Sequence, residues 1–172
     1  MSANVLDLNG VVVVALGSNL SGGYGSSEAL LEAALTRFPA VGLKILKRSS
    51  WWRSAAWPDP MGPEYRNGVA LVEAPGGPLE VLRTLRGLER EMGREPSARN
   101  APRTLDLDLI AHGRAVLDDP VLTLPHPRAH ERLFVMGPLA EIAPDWLHPT
   151  LARTAAMLAA RATVGTDATP IS

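Results

Sequence analysis

Six consecutive apolar residues, Val11-Val12-Val13-Val14-Ala15-Leu16, run into the turn residues Gly17-Ser18-Asn19. Branching at Cβ stiffens the side chain and disfavours helix, so a short apolar run bounded by turn residues reads as a buried strand. The run is far short of the ~20 residues a membrane-crossing helix needs. The residues ahead of it, MSANVLDLNG, contain no basic region, so the start does not read as a secretory signal. A buried strand needs cover from the rest of the chain, and 172 residues suffice for one domain with its own core. The 46% hydrophobic and 20% charged composition is that of a globular chain. The absence of cysteine excludes disulfides, thiolate metal ligands and a Cys nucleophile. Seventeen basic against eighteen acidic residues, net charge −1, argue against nucleic-acid binding through a broad basic face. The expectation is a soluble, cytoplasmic, monomeric chain forming a single domain over 1–172, with 1–10 and 165–172 as flexible ends. Neither a membrane nor a nucleic acid is expected as a partner.

Further elements follow in order. Ser26-Ser27 offers an N-cap, Leu31, Ala34, Leu35 and Phe38 share one helical face, and Pro39 ends that helix. Leu43 to Arg53 reads as a second strand. The stretch from Ser54 to Glu64, with three prolines and a glycine, must be a loop. Tyr65 to Glu73 resumes as a strand. Pro78 suits the first position of a helix whose apolar stripe is Leu82, Leu85, Leu88 and Met92, with Gly93 as its cap. An arginine-bearing loop, Arg94 to Arg103, leads to a strand from Thr104 to Ala111. The order β-α-β-β-α-β predicts an α+β, ferredoxin-like sandwich with a mainly antiparallel sheet. Beyond it come a short strand at Val121 to Leu124 and a C-terminal helical extension. That extension is expected as Glu131 to Ile142, broken at Gly137-Pro138, and then Thr150 to Ala162. Gly165 to Ser172 has no apolar pattern and reads as a frayed tail.

The segment Arg103-Thr104-Leu105-Asp106-Leu107-Asp108-Leu109-Ile110 carries the most chemistry. Alternation along a strand sends Leu105, Leu107 and Leu109 into one layer and Asp106 with Asp108 onto the other. Such carboxylates repel one another unless cations lie between them, and carboxylate oxygen is the hard ligand Mg²⁺ prefers. A merely solvated face is the structural alternative. It is weakened because Ile110 continues the aspartate face with an apolar group and because Arg94, Arg99 and Arg103 lie just ahead. Arginines bind phosphate oxygens bidentately, so metal site and arginine loop together suggest a polyphosphate substrate, although no P-loop motif is present. Tyr65 and Asn67 share a strand face, an aromatic plate beside an amide that suits a flat heterocycle, or else packs into the core. Pro125-His126-Pro127 with Arg132 and Phe134 forms a third group.

These pieces together resemble the hydroxymethyl-dihydropterin pyrophosphokinase family, over about Val13 to Pro144. The resemblance rests on ALGSNL at Ala15 to Leu20, EYRNGVAL from Glu64, LEREMGR from Leu88, PRTLDLDLI from Pro102 and LPHPRAHERLFVMGPLAEIAP from Leu124. It implies a ferredoxin-like fold and transfer of the β,γ-diphosphate of ATP to the hydroxymethyl group of a reduced pterin, releasing AMP, in folate biosynthesis. It implies two Mg²⁺ ions on Asp106 and Asp108, with Arg94 and Arg103 on the polyphosphate. Glu89, His126 and Arg132 match positions around ATP. Tyr65 and Phe134 match the plates around the pterin, with Asn67 on its polar edge and Ser54, Ala55 and Trp57 completing recognition. Asp59-Pro60-Met61-Gly62-Pro63-Glu64 departs from the Asp-Gln-Pro that the family often carries, and Asn100-Ala101 stands where some members have Trp-Gly. Two other functions stay open on the residues alone: a metal-dependent phosphohydrolase, and a non-catalytic RNA-binding domain of the same strand order, which the acidic strand disfavours.

Overall fold

The computed structural model describes residues 6–19, 23–55, 61–93 and 105–171. Strand β1 (Val12–Ser18) lies in the middle of the sheet, antiparallel to β4 (Tyr65–Glu73) on one side and β5 (Asp106–His112) on the other. The outer side of β4 pairs with β2 (Lys44–Arg48) and β3 (Trp52–Ser54), and β8 (Thr169–Pro170) adds beyond β3. This order is the ferredoxin-like arrangement expected from the sequence. A separate hairpin pairs β6 (Leu117–Asp118) with β7 (Thr123–Leu124).

Alternation then divides the core in two. Val12, Val14 and Leu16 pack with Leu105, Leu107 and Leu109 under α1 (Ser27–Arg37) and α2 (Pro78–Glu91). Val11, Val13 and Ala15 pack with Ile110 and Ala111 under α3 (Leu133–Ile142) and α4 (Ala155–Arg161). A bulge between β1 and β5 turns both Ile110 and Ala111 towards this second core. Each fully buried leucine contributes about 2 kcal/mol of transfer free energy. The helices begin where the sequence places its caps. Ser26 Oγ accepts the Ala29 N–H at 3.0 Å, Pro78 opens α2, and Thr154 Oγ1 accepts the Met157 N–H at 3.2 Å.

Four expectations need correction. The expected strand 43–53 is two strands, because the Val69 N–H donates to Ser49 Oγ at 2.9 Å, a side chain standing where a ladder carbonyl would be. Ser50 and the Trp52 indole then donate to Glu141, tying the break to α3. Helix α3 does not break at Gly137-Pro138, since Trp52 lies against Gly137, where a Cβ would sit 2.6 Å from the ring, and packing outweighs the lost hydrogen bond. Helix α4 starts at 155 rather than 150, because His148 Nδ1 accepts the Thr150 and Leu151 N–H groups and holds that stretch as a turn ending at Ala152, φ +54°. The expected flexible ends are also structured where described: 165–171 buries Ala168 and forms β8, and Leu6 and Leu8 pack against the second core.

Candidate functional site

One rung of the sheet crosses four strands. Asp106 stands opposite Gly17, Gly17 opposite Asn67, and Asn67 opposite Trp52. The next rung aligns Asp108, Ala15 and Val69. With residues two apart on a strand separated by ~7 Å, and alternate strands by about 10 Å, Asp106, Asp108 and Asn67 share one face of the sheet. The same face is filled by Val13, Leu71 and Ala111 one step further from this end, under α3 and α4. Polar groups thus occupy only one end of the second face.

Gly17, which reads from sequence as a turn residue, decides how the rung closes. A Cβ there would lie 2.8 Å from Asn67 Nδ2, so glycine is what lets the amide lie across the neighbouring strand. Asn67 Oδ1 is buried and has no hydrogen-bond partner among the described residues. A buried acceptor left open is costly, and a donor on a bound molecule would relieve it.

The aspartates sit on the outer strand of the sheet, which α2 holds rigid. Between them, the Leu107 N–H donates to Glu89 Oε2 at 2.8 Å, and Arg86 Nη1 donates to the Leu107 carbonyl at 2.9 Å. Arg86 also bonds Glu89 Oε1 at 2.9 Å, so carboxylate and guanidinium replace the missing strand partner. Glu89, matched by resemblance to a position around ATP, is 2% exposed and is engaged with the backbone of β5. Arg86 escaped the sequence reading; its one signal is the i,i+3 spacing to Glu89.

Burial, and after it the charge of Asp106, pushes the Asp108 carboxyl up to about 7, with Arg86 and Arg132 pulling the other way. Two carboxyls on one strand face, one of them deeply buried, offer hard oxygen donors to a cation. Among the described residues no three His, Cys, Asp or Glu side chains gather as a metal cage. That donor set fits Mg²⁺, which is commonly held by one or two carboxylates with water and substrate phosphates completing its shell.

His126 lies beside this strand, its N–H bonded to the Ile110 carbonyl at 2.8 Å. Its Nδ1 accepts the Arg128 and Ala129 N–H groups, both at 3.1 Å, which leaves the proton on Nε2. Burial, then the Arg132 charge, lowers its pKa to about 4, so the ring is a neutral donor near pH 7. Arg132 caps the start of α3, 5.8 Å from the centroid of the Phe134 ring. Ser54 is paired with Tyr65, and Ala55 follows it. Of the candidate residues, the structure brings together Glu89, Asp106, Asp108, His126 and Arg132 on the β5 side, and Ser54, Ala55, Tyr65 and Asn67 on the β4 side. Phe134 stands on the covering helix. Arg94, Arg99, Arg103 and Trp57 lie outside the described residues.

Paired carboxyls beside Arg86, Arg132 and a neutral histidine, at the edge of a ferredoxin-like sheet, suit the handling of a phosphorylated substrate. Residues 13–144 match the model of the family described as 7,8-dihydro-6-hydroxymethylpterin-pyrophosphokinase (HPPK). The chain belongs to that family, and its activity is pyrophosphoryl transfer onto hydroxymethyldihydropterin in folate biosynthesis. It is 41% identical over 143 residues, 83% of this chain and 71% of the other, to the 2-amino-4-hydroxy-6-hydroxymethyldihydropteridine pyrophosphokinase of Synechocystis. It is 40% identical over 138 residues, 78% of this chain and 81% of the other, to the enzyme of the same name from Pseudomonas aeruginosa. The fold is similar to the crystal structure of Plasmodium falciparum HPPK-DHPS, with TM-score 0.65 and 12% identity, over 87% of this chain and 44% of that one. The chain therefore spans less than half of that larger protein.

Proposed function

We propose that Asp106 and Asp108 hold the Mg²⁺ that accompanies ATP, and that Asn67, Tyr65, Phe134 and the backbone at Ser54 and Ala55 receive the pterin beside them. The observation that carries this reading is the rung Asp106–Gly17–Asn67, which sets a carboxylate about 10 Å from a buried amide whose oxygen has no hydrogen-bond partner among the described residues. A pterin ring presents amino and ring N–H donors in one plane, the complement such an amide needs.

The hydroxymethyl oxygen attacks the β-phosphorus of ATP. The bond between Pβ and the bridging oxygen to Pα breaks, AMP leaves with that oxygen, and the hydroxyl proton is released. Magnesium, when bound, offsets phosphate charge and makes the hydroxyl easier to deprotonate. The chain supplies position. Asp108 gives up its proton when a cation arrives, His126 offers a neutral Nε2–H, and Arg132 with Arg94 and Arg103 balances the polyphosphate. Glu89 and Arg86 keep the aspartate strand in place. The reading includes a monomeric enzyme of the cytoplasm, where the ATP it needs is available. Incubation with ATP, Mg²⁺ and the reduced pterin tests it: AMP and a pterin diphosphate form together, and only with pterin present. Phosphate release without pterin would establish the hydrolase reading instead. Loss of no activity in EDTA would remove the metal from the scheme.

A further inference from the structure

The chain continues past residue 144, where the family match ends, and its last described stretch returns to the acceptor half of the site. The Thr163 and Val164 N–H groups donate to the Glu131 carbonyl at 3.0 and 2.9 Å, and the Leu133 N–H donates to the Val164 carbonyl at 2.9 Å. The stretch is thereby fixed to the start of α3, next to Arg132 and Phe134. Gly165 follows at φ +65°, and a Cβ on it would run into the Phe134 ring. The glycine backbone is therefore a wall against which the Phe134 ring rests. Two residues on, Asp167 Oδ2 accepts the Ala55 N–H at 2.7 Å. Thr169 and Pro170 then pair with Arg53 and Trp52 as β8, and the Ile171 N–H donates to the Trp51 carbonyl at 2.9 Å.

We propose that residues 163–171 are a positioning element for the pterin, with Asp167 as its positioning residue. The proposal rests on the reading that Ser54, Ala55, Asn67, Tyr65 and Phe134 receive that substrate. Phe134 belongs to the covering helix and Ala55 to the outer part of the sheet. The C-terminal stretch touches both, through Gly165 on one side and Asp167 on the other, and so sets the width of the gap between them. A flat ring held between two plates is sensitive to that width, whereas a polyphosphate on the far side of the rung is not. The bond from Asp167 is a charged acceptor on a backbone N–H, short and strong, and both residues are exposed, so the core does not depend on it.

The test is a set of steady-state measurements on the full chain with each substrate varied in turn. Asp167→Ala is expected to raise KM for the pterin about tenfold or somewhat more, the low end of the scale of one lost hydrogen bond to a charged group, with KM for ATP unchanged. Asp167→Asn keeps an acceptor oxygen and is expected to behave as the parent. Gly165→Ala, which displaces the Phe134 ring, is expected to raise the pterin KM as well. The proposal is overturned if Asp167→Ala leaves the pterin KM where it was, if both KM values move together, or if the asparagine variant does not rescue. Asn67→Ala in the same assay separates the two levels. A raised pterin KM there with none in Asp167→Ala removes only the role of the C-terminal stretch, and no rise in either removes the acceptor site itself.

Discussion

The two faces of the central sheet are built by the same strands and differ in one respect, how far their apolar cover extends. Beneath α1 and α2 the face is apolar from Val12 to Leu16 on β1 and from Leu105 to Leu109 around β5, and its last rung, Ser18 opposite Arg66, is tied to α1 by the Arg66–Glu28 ion pair. Beneath α3 and α4 it is apolar through Val13, Leu71 and Ile110, and then changes to Asp106, Asp108 and Asn67. Leu107 and Asp108 are neighbours in sequence, yet one is a fully buried core residue and the other a carboxylate confined enough to titrate near 7. Alternation allows a strand to store stability on one side and strain on the other without either compromising its partner. A site built this way inherits the rigidity of the core directly behind it.

If the faces are independent, substitutions on each should move different observables. The double variant Asp106→Ala/Asp108→Ala is expected to lose about a thousandfold or more in turnover, the scale of removing preorganised charge stabilisation, while Tm holds or rises. A retained rate would break the division of labour. Leu107→Ala, between those two positions but on the other face, is expected to cost about 3 kcal/mol and lower Tm by roughly 10 °C, with both KM values near those of the parent at a temperature where the variant is folded.

The next effect is a pH dependence. The folded-state pKa of Asp108 lies above its ordinary value of 3.8, at about 7, so the folded chain binds a proton that the unfolded chain has released. Stability from this group is present at low pH and is lost as pH rises from about 4 to 7. His126 and His148, lowered from 6.5 to about 4, act in the opposite sense and lose stability as pH falls through that window. The Asp108 contribution is therefore best read as a difference: the Tm advantage of Asp108→Asn over the parent is expected to widen from pH 5 to pH 8 in EDTA, and to narrow when Mg²⁺ is added. The smallest effect is that of Gly17→Ala, whose Cβ would meet Asn67 Nδ2 at 2.8 Å. It is expected to raise the pterin KM a few-fold with no change in KM for ATP, a shift visible in the same assay.

Much of this division is written locally. The span of β4 is readable to the residue because Tyr65 to Glu73 is bounded by proline and glycine on both sides, and the caps at Ser26 and Pro78 act within their own turns. The aspartate pair is readable because a period of two needs no knowledge of the neighbours. What the sequence hides depends on contacts between distant segments. The split at Ser49 exists through Val69, and the unbroken helix at Pro138 through Trp52. The C-terminal strand pairs only two residues and carries no apolar alternation, so nothing in its own composition announces it. Gly17 and Arg86 have meaning only beside Asn67 and Leu107, one across a strand and the other from a helix.

The borders of the sheet bear on solubility as well. A bare outer strand is a template on which another chain can polymerise. At β5 the outward N–H and carbonyl of Leu107 are already taken by a helix, and at β8 the outermost pairing is two residues long and ends in Pro170, which has no N–H to offer. These two margins thus resist strand recruitment, at positions next to those where the chain assembles its chemistry.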